Sequence, residues 1–295
     1  MKLFDKLFLS GYYFTIAIKH RGKTVSEKIN AEYVVKANVK HWVADPMLID
    51  YEEKTYLFYE AVDGVKGHIE VSEVQQDCSI SDSVIVLKDT CHYSYPFVFS
   101  YNDIWYMVPE SSEVEEVRLY KALEFPYKWE MCRILLKGKY VDTTIFEDKG
   151  KLYLLTFEIK GITESVKPKA FRFFLNDTEA KLEEIPWDSY NELQVRGAGQ
   201  ITKRNNVLLR PAQVSAEYRY GDALVFNEID EVDEKYTEHQ VFCLNPENIR
   251  VKKRYVNGLH TYTVSEEYEA IDIRCRDFDI CKPFRKILQN LKRKL

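Results

Sequence analysis

Glycine and proline are scarce in this 295-residue chain, at 11 and 9, and methionine is scarcer still at 4. The scarcity excludes collagen-like and low-complexity architectures. It also obliges turns to be built from Asn, Asp, Glu and Lys, as in "YNDI" at 101–104, "EDKG" at 147–150 and "KRNN" at 203–206. The six cysteines, Cys78, Cys91, Cys132, Cys243, Cys275 and Cys281, contain no CxxC pair, so neither a zinc knuckle nor a disulfide scaffold is signalled and reduced thiols are expected. A net charge of −5 gives no general case for a nucleic-acid partner. No apolar run reaches transmembrane length. The opening "MKLFDKLFLSGYYFTIAIKH" is interrupted by Asp5 and Lys6 and is not followed by a small-residue cleavage site, so no secretion signal is expected and a cytoplasmic location is inferred.

Aromatic residues are abundant instead. The 21 Tyr and 16 Phe suit half-buried strands better than helix bundles, and 45% hydrophobic with 30% charged residues describes an ordinary globular protein. Five segments read strand, polar turn, strand: "ADPMLIDYEEKTYLFYEA", "SYPFVFSYNDIWYMVPES", "VDTTIFEDKGKLYLLTFE", "VRGAGQITKRNNVLLRPA" and "LHTYTVSEEYEAIDIRCR". Their second residues are Asp45, Tyr95, Asp142, Arg196 and His260, each 11 residues before its second strand and spaced by 50, 47, 54 and 64 residues. Such a period predicts an all-β, five-bladed β-propeller over residues 38–278, with residues 1–37 lending a strand to close the ring. An irregular β-sandwich with evenly spaced hairpins is the alternative.

In a propeller the start of each innermost strand faces the axis, so these five positions are expected to form a ring at one mouth of the channel. Four of the five are ionisable, which suits a polar site better than a core. Asp45 and Asp142 are the candidate catalytic carboxylates, set against the simpler reading of turn capping. Arg196 and Arg210 would hold a phosphate or carboxylate, or else neutralise the aspartates. Trp42, Tyr95 and Tyr220 are candidate stacking platforms, Gln213 a hydroxyl partner, and His260 a donor or a structural histidine. No cofactor and no metal are expected.

The run "ADPMLI…YLFYE…HYSYPFVF…YMVPES…DTTIFE…LLRPAQ…YGDALVFNEI…GLHTYTV" resembles the propeller region of glucosamine inositolphosphorylceramide transferases and its stand-alone bacterial relatives, over about residues 38 to 275. "WVADPMLI" and "VDTTIFEDKGKLYLL" also look like signatures of the five-bladed furanosidase-like superfamily, which includes glycoside hydrolase families 43, 32 and 68. The first resemblance implies the fold and an association with sugars, but not transferase activity. Family 43 places an aspartate base in blade one, a positioning aspartate in blade three and a glutamate acid in blade four. Asp45 and Asp142 match the first two. Blade four offers Arg196, which cannot donate a proton at neutral pH. Glu110, in the place that Glu60 occupies in blade one, is then the candidate acid, set against a rim carboxylate paired with a neighbouring base.

Two functions follow. One is a glycosidase- or transglycosidase-like enzyme of cell-surface glycan biosynthesis, which the aspartates favour. The other is a silent sugar-binding module that assists a glycosyltransferase, which the arginine favours. The enzyme is preferred. In "DICKPFRKILQNLKRKL" apolar residues recur at helical spacing amid basic ones, so residues 279–295 are expected to form a basic amphipathic helix. It would lie either on an anionic membrane surface at the inner face or against the propeller flank.

Overall fold

The computed structural model describes residues 9–22, 28–160, 165–176, 178–204, 206–216, 219–252, 254–278 and 281–282. The protein is an all-β, five-bladed propeller, and its described elements are strands plus two single 3-10 turns. The expected amphipathic tail, apart from Cys281 and Lys282, lies outside the described residues.

Blade one is His41–Tyr51, Lys54–Asp63, Gly67–Val74 and Val84–Leu87 from axis to rim. Blade two is Ser94–Tyr101, Ile104–Glu110, Glu116–Glu124 and Lys128–Lys137, and blade three is Tyr140–Asp148, Lys151–Lys160, Ser165–Leu175 and Ala180–Ile185. Blade four is Thr202–Arg204, Val207–Ala216, Arg219–Glu231 and Thr237–Leu244. Blade five begins with Arg254–Val264 and Tyr268–Asp277, then takes Tyr13–His20 and Tyr33–Val34 from the other end of the sequence. Tyr13 pairs with Cys275 and His20 with Tyr268, so the ring closes by antiparallel pairing and not by a covalent link.

Burial follows distance from the axis. The inner strand His41–Tyr51 is buried on both faces over Val43–Ile49, whereas the rim strand Lys128–Lys137 has no fully buried residue. Inner strands are covered on both faces by neighbouring blades, which is why their alternation is blurred into near-continuous apolar runs. The core is correspondingly divided between blades. Phe58 and Ile69 of blade one meet Met107 and Leu119 of blade two, while Leu224 and Phe226 of blade four meet Leu259 and Ile273 of blade five.

The feature that positions the site is a β-bulge repeated in four inner strands. In blade one Ala44 pairs with Glu60 and Met47 with Phe58, leaving Asp45 and Pro46 opposite one residue. The same two-against-one slip falls at Tyr95 and Pro96, at Asp142 and Thr143, and at His260 and Thr261. Asp45, Tyr95 and Asp142 adopt φ of 52°, 44° and 51°, a left-handed conformation uncommon for residues other than glycine. A bulge bends its strand and re-aims the extra side chain. That is why Asp45, Asp142 and His260 turn into the axial cavity. Blade four differs: Arg196 precedes the inner strand, and its carbonyl accepts from the Gln213 amide at 2.9 Å.

Candidate functional site

At one mouth of the axis lies a cavity of about 300 Å³ walled by Trp42, Asp45, Glu110, Asp142, Arg196 and His260, together with Phe14, Glu60, His92 and Lys139. A larger groove of about 1030 Å³ runs past the Asp50–Thr55 turn and Glu266–Tyr268, but its walls are mostly exposed acidic and amide side chains with no comparable enclosure.

Bulge amides and buried carboxylates are matched around the ring. The Asp45 amide donates to Asp272 Oδ2 at 2.9 Å, the Tyr95 amide to Asp45 Oδ2 at 3.1 Å, and the Asp142 amide to Glu110 Oε2 at 3.3 Å. The carboxylates of blades five, one and two thus each satisfy the irregular backbone of the blade that follows.

Asp45 Oδ1 also accepts from Thr261 Oγ1 at 2.8 Å and lies 2.9 Å from His260 Nδ1. Burial alone would push this carboxyl up. The His260 charge and these hydrogen bonds outweigh it and hold Asp45 below the usual carboxylate range. Burial likewise works against protonated His260, but Asp45 on one side and Asp272 Oδ2 at 3.2 Å on the other hold it well above the usual histidine range. Asp272 itself is raised by burial. Asp45, His260 and Asp272 bring their ligand atoms close enough to hold a cation. The His260 ring already reaches into the space between the two carboxyls, with Nδ1 2.9 Å from Asp45 and 3.2 Å from Asp272.

The opposite wall has another character. Asp142 is clamped by Arg196 through two hydrogen bonds, Nε to Oδ2 at 2.7 Å and Nη2 to Oδ1 at 3.2 Å, and Gln213 Nε2 approaches Oδ2 at 3.4 Å. Glu110 is pushed up to about 7, first by burial and then by the Asp142 charge, despite a hydrogen bond of 2.8 Å from Ser112 Oγ. Glu60 is also pushed up to about 7 by burial, with His92 Nε2 3.1 Å away opposing the shift. Glu60 raises the pKa of His92 in turn, but the Gly67 amide donates to His92 Nδ1 at 2.9 Å, which assigns the neutral tautomer with its proton on Nε2. One cavity therefore holds a carboxyl lowered from its usual range, Asp45, and two, Glu60 and Glu110, raised to about 7.

Six of the sequence-predicted residues meet here: Trp42, Asp45, Glu110, Asp142, Arg196 and His260. Tyr95 does not line the cavity. Its ring drops below the bulges, where the hydroxyl accepts from the Gly199 amide at 2.7 Å and meets Thr144 Oγ1 at 3.0 Å. Arg210 lies behind the wall, paired with Glu238 through Nε at 2.7 Å and Nη2 at 2.5 Å and packed over Phe157 and Trp187. Gln213 is wholly buried and donates to the Gly197 carbonyl at 2.7 Å. The Tyr220 side chain lies outside the described residues.

A family model described as glucosamine inositolphosphorylceramide transferase 1, N-terminal, matches residues 29–267. The chain belongs to this family. It is 34% identical over 124 residues to glucosamine inositolphosphorylceramide transferase 1 of Arabidopsis thaliana, covering 41% of this chain and 16% of that protein. To the protein of the same name from Oryza sativa subsp. japonica it is 26% identical over 244 residues, covering 78% of this chain and 32% of that protein. The chain thus spans about a third or less of the length of these curated relatives. Among solved structures, a thermostable family-43 glycoside hydrolase superposes with a TM-score of 0.61 at 13% identity, covering 82% of this chain and 90% of that one. The β-1,2-mannobiose phosphorylase of Listeria innocua superposes with a TM-score of 0.58 at 10% identity, covering 91% and 98%. These two likenesses show the fold.

The repeats mark Glu60 only as the counterpart of Glu110 and do not single out its partner His92, the ring-closing Phe14, or Lys139. The shared register is a usable signal, since Glu60 faces Ala44 and Glu110 faces Ser94, each one residue before its bulge. Gly67 is a second. A Cβ there would stand 2.4 Å from Glu60 Oε1, 2.6 Å from the Tyr93 carbonyl and 2.9 Å from His92 Cε1. Gly67→Ala is expected to destabilise the fold by about 1–3 kcal/mol through overpacking and to part Glu60 from His92. Thermal unfolding, with the His92 ring followed by NMR, would check it.

Proposed function

We propose that this propeller binds a sugar in the axial cavity and acts on its glycosidic bond, with Glu110 as proton donor, Asp45 as the carboxylate base or nucleophile, and Asp142 as a positioning group. What carries the reading is that one enclosure brings together carboxyls in opposed surroundings: Asp45 held below its usual range by His260 and its hydrogen bonds, and Glu110 raised to about 7 by burial. Glycosidic cleavage and transfer need this division between a carboxylate and a carboxylic acid. Trp42 and Phe14, with ring centroids 6.0 Å apart, add an apolar wall of the kind that packs on a sugar face. A volume of about 300 Å³ is at the lower end of small-molecule sites and suits a terminal sugar unit. The family name supports a sugar-bearing partner, and a role in glycan biosynthesis accords with it.

A sugar-binding module that assists a glycosyltransferase is the second reading. The Arg196 clamp on Asp142 favours it, because a carboxylate so held is withdrawn from chemistry. The two separate on Asp45→Asn. As an enzyme, the variant loses turnover of a glycoside or nucleotide sugar by at least about a hundredfold while binding stays within a few-fold. Calorimetry with monosaccharides, glucosamine among them, alongside a turnover assay reads both quantities. A wild-type protein that binds sugars yet turns none over leaves the module, and one that binds no sugar at millimolar concentration sinks both readings.

A further inference from the structure

Away from the axis, three side chains from separate parts of the sequence converge where blade five meets blade one. His20 ends the ring-closing strand Tyr13–His20, Glu32 precedes Tyr33–Val34, and Cys78 lies in the turn that follows Gly67–Val74. His20 Nδ1 is 2.8 Å from Glu32 Oε2 and 3.3 Å from Cys78 Sγ, and Sγ is 3.8 Å from the same Glu32 oxygen. We propose that His20, Glu32 and Cys78 form a binding site for a divalent transition metal of the zinc type, spanning the seam at which the propeller closes.

The donor set chooses the class of ion. Thiolate, imidazole and carboxylate together suit zinc and its neighbours, whereas calcium and magnesium call for oxygen ligands. Usual zinc bond lengths, about 2.3 Å to sulfur and about 2.0–2.1 Å to nitrogen or oxygen, set tetrahedral ligand-to-ligand edges of about 3.3–3.6 Å. The observed triangle brackets those values, so an ion fits after small side-chain adjustments. Cys78 is buried at the base of the triangle, while His20 and Glu32 are exposed, so a fourth ligand position faces water. The ligands are held in place. The His20 amide donates to Glu32 Oε1 at 3.1 Å, and the His20 ring lies against Tyr268 with centroids 5.4 Å apart. Cys78 has a φ of 66° in a turn closed by its own amide on the Gln75 carbonyl at 2.9 Å.

A redox role fits less well. Cys78 forms no disulfide, and burial followed by the Glu32 charge pushes its thiol up to about 11, so it is not a reactive thiolate without an ion to stabilise it. The ion would tie the ring-closing strand and the segment after it to blade one.

The test is titration of the full chain, reduced and stripped of metal, with cobalt(II) alone. The expected result is a thiolate-to-cobalt charge-transfer band in the near ultraviolet that saturates at one equivalent. Cys78→Ser should lack the band, and His20→Ala should need at least about tenfold more cobalt. The axial group Asp45, His260 and Asp272 has no sulfur and cannot produce this signal. Zinc should also raise the melting temperature of the wild-type protein by several degrees but not that of His20→Ala, a change at an exposed residue that spares the core. No band in the wild type, or one that survives Cys78→Ser, would overturn the proposal.

Discussion

Arg210→Met is expected to destabilise the propeller by about 3–5 kcal/mol, the usual result of removing one partner from a buried ion pair. For a domain of this size that is a fall in melting temperature of roughly 10 °C. The guanidinium is 1% exposed, its charge is matched by Glu238, and Tyr236 and Asn227 also donate to Glu238 at 2.8 and 3.0 Å. Methionine would leave that carboxylate uncompensated and would vacate the space over Phe157 and Trp187. Arg210 also donates through Nη1 to the Val195 carbonyl at 2.9 Å, next to Arg196, so the loss reaches the clamp on Asp142. Adding Glu238→Leu should restore part of the stability, because the stranded charge is then gone. Urea unfolding of the wild type and the two variants measures it. Unchanged stability with weakened sugar binding would instead make Arg210 a substrate residue.

Glu110→Gln is expected to abolish function while strengthening the fold, and the gain should depend on pH. Well below pH 4.5, folded and unfolded chains both carry the Glu110 proton. Between about pH 4.5 and about 7 the folded state alone keeps it, because the folded pKa is raised, so stability falls as pH rises through that window. Glutamine imitates the protonated acid and does not ionise. The variant should therefore match the wild type near pH 4.5 and exceed it by about 2–3 kcal/mol at pH 8. Turnover of any sugar that the wild type processes should drop by about 10²–10⁴-fold, the usual effect of removing a general acid. Chemical denaturation at the two pH values tests the first part and an assay the second. Equal stability at pH 8 would mean that Glu110 ionises normally and is no acid.

These two residues also mark how far the sequence is legible. The five repeats stand out because each inner pair of strands shares one turn, and in four of them one bulge, on which Asp45, Asp142 and His260 fall. Glu110 is legible through its register with Glu60. Arg210 is not. In "LLRPAQ" an arginine within an apolar run reads as a site residue, and nothing in the sequence pairs it with Glu238 in the rim strand Thr237–Leu244. Tyr95 occupies a ring position, yet its hydroxyl is taken up by the Gly199 amide beneath the bulges. Asp272 in "YEAIDIRC" sits on the face opposite to Ile271 and Ile273, the one that alternation marks as polar, yet it is fully buried. Its charge is balanced by His260 and by the amides of Asp45, His260 and Thr261, which no pattern of side chains records.

The pairing of Tyr13–His20 with Tyr268–Asp277 has a consequence for the order of events as the chain is made. Tyr13–His20 can meet Tyr33–Val34 early, but its other partner, Tyr268–Asp277, arrives only after more than 240 further residues. Blades one to three can assemble on their own nearest neighbours in the meantime, since domains form from the amino end as synthesis proceeds. The axial cavity cannot, because Phe14 and His260 of blade five supply one side of it and Asp45 relies on Thr261 and Asp272 from the same blade. The wall that blades one to three supply is thus completed only late, when blade five closes the ring.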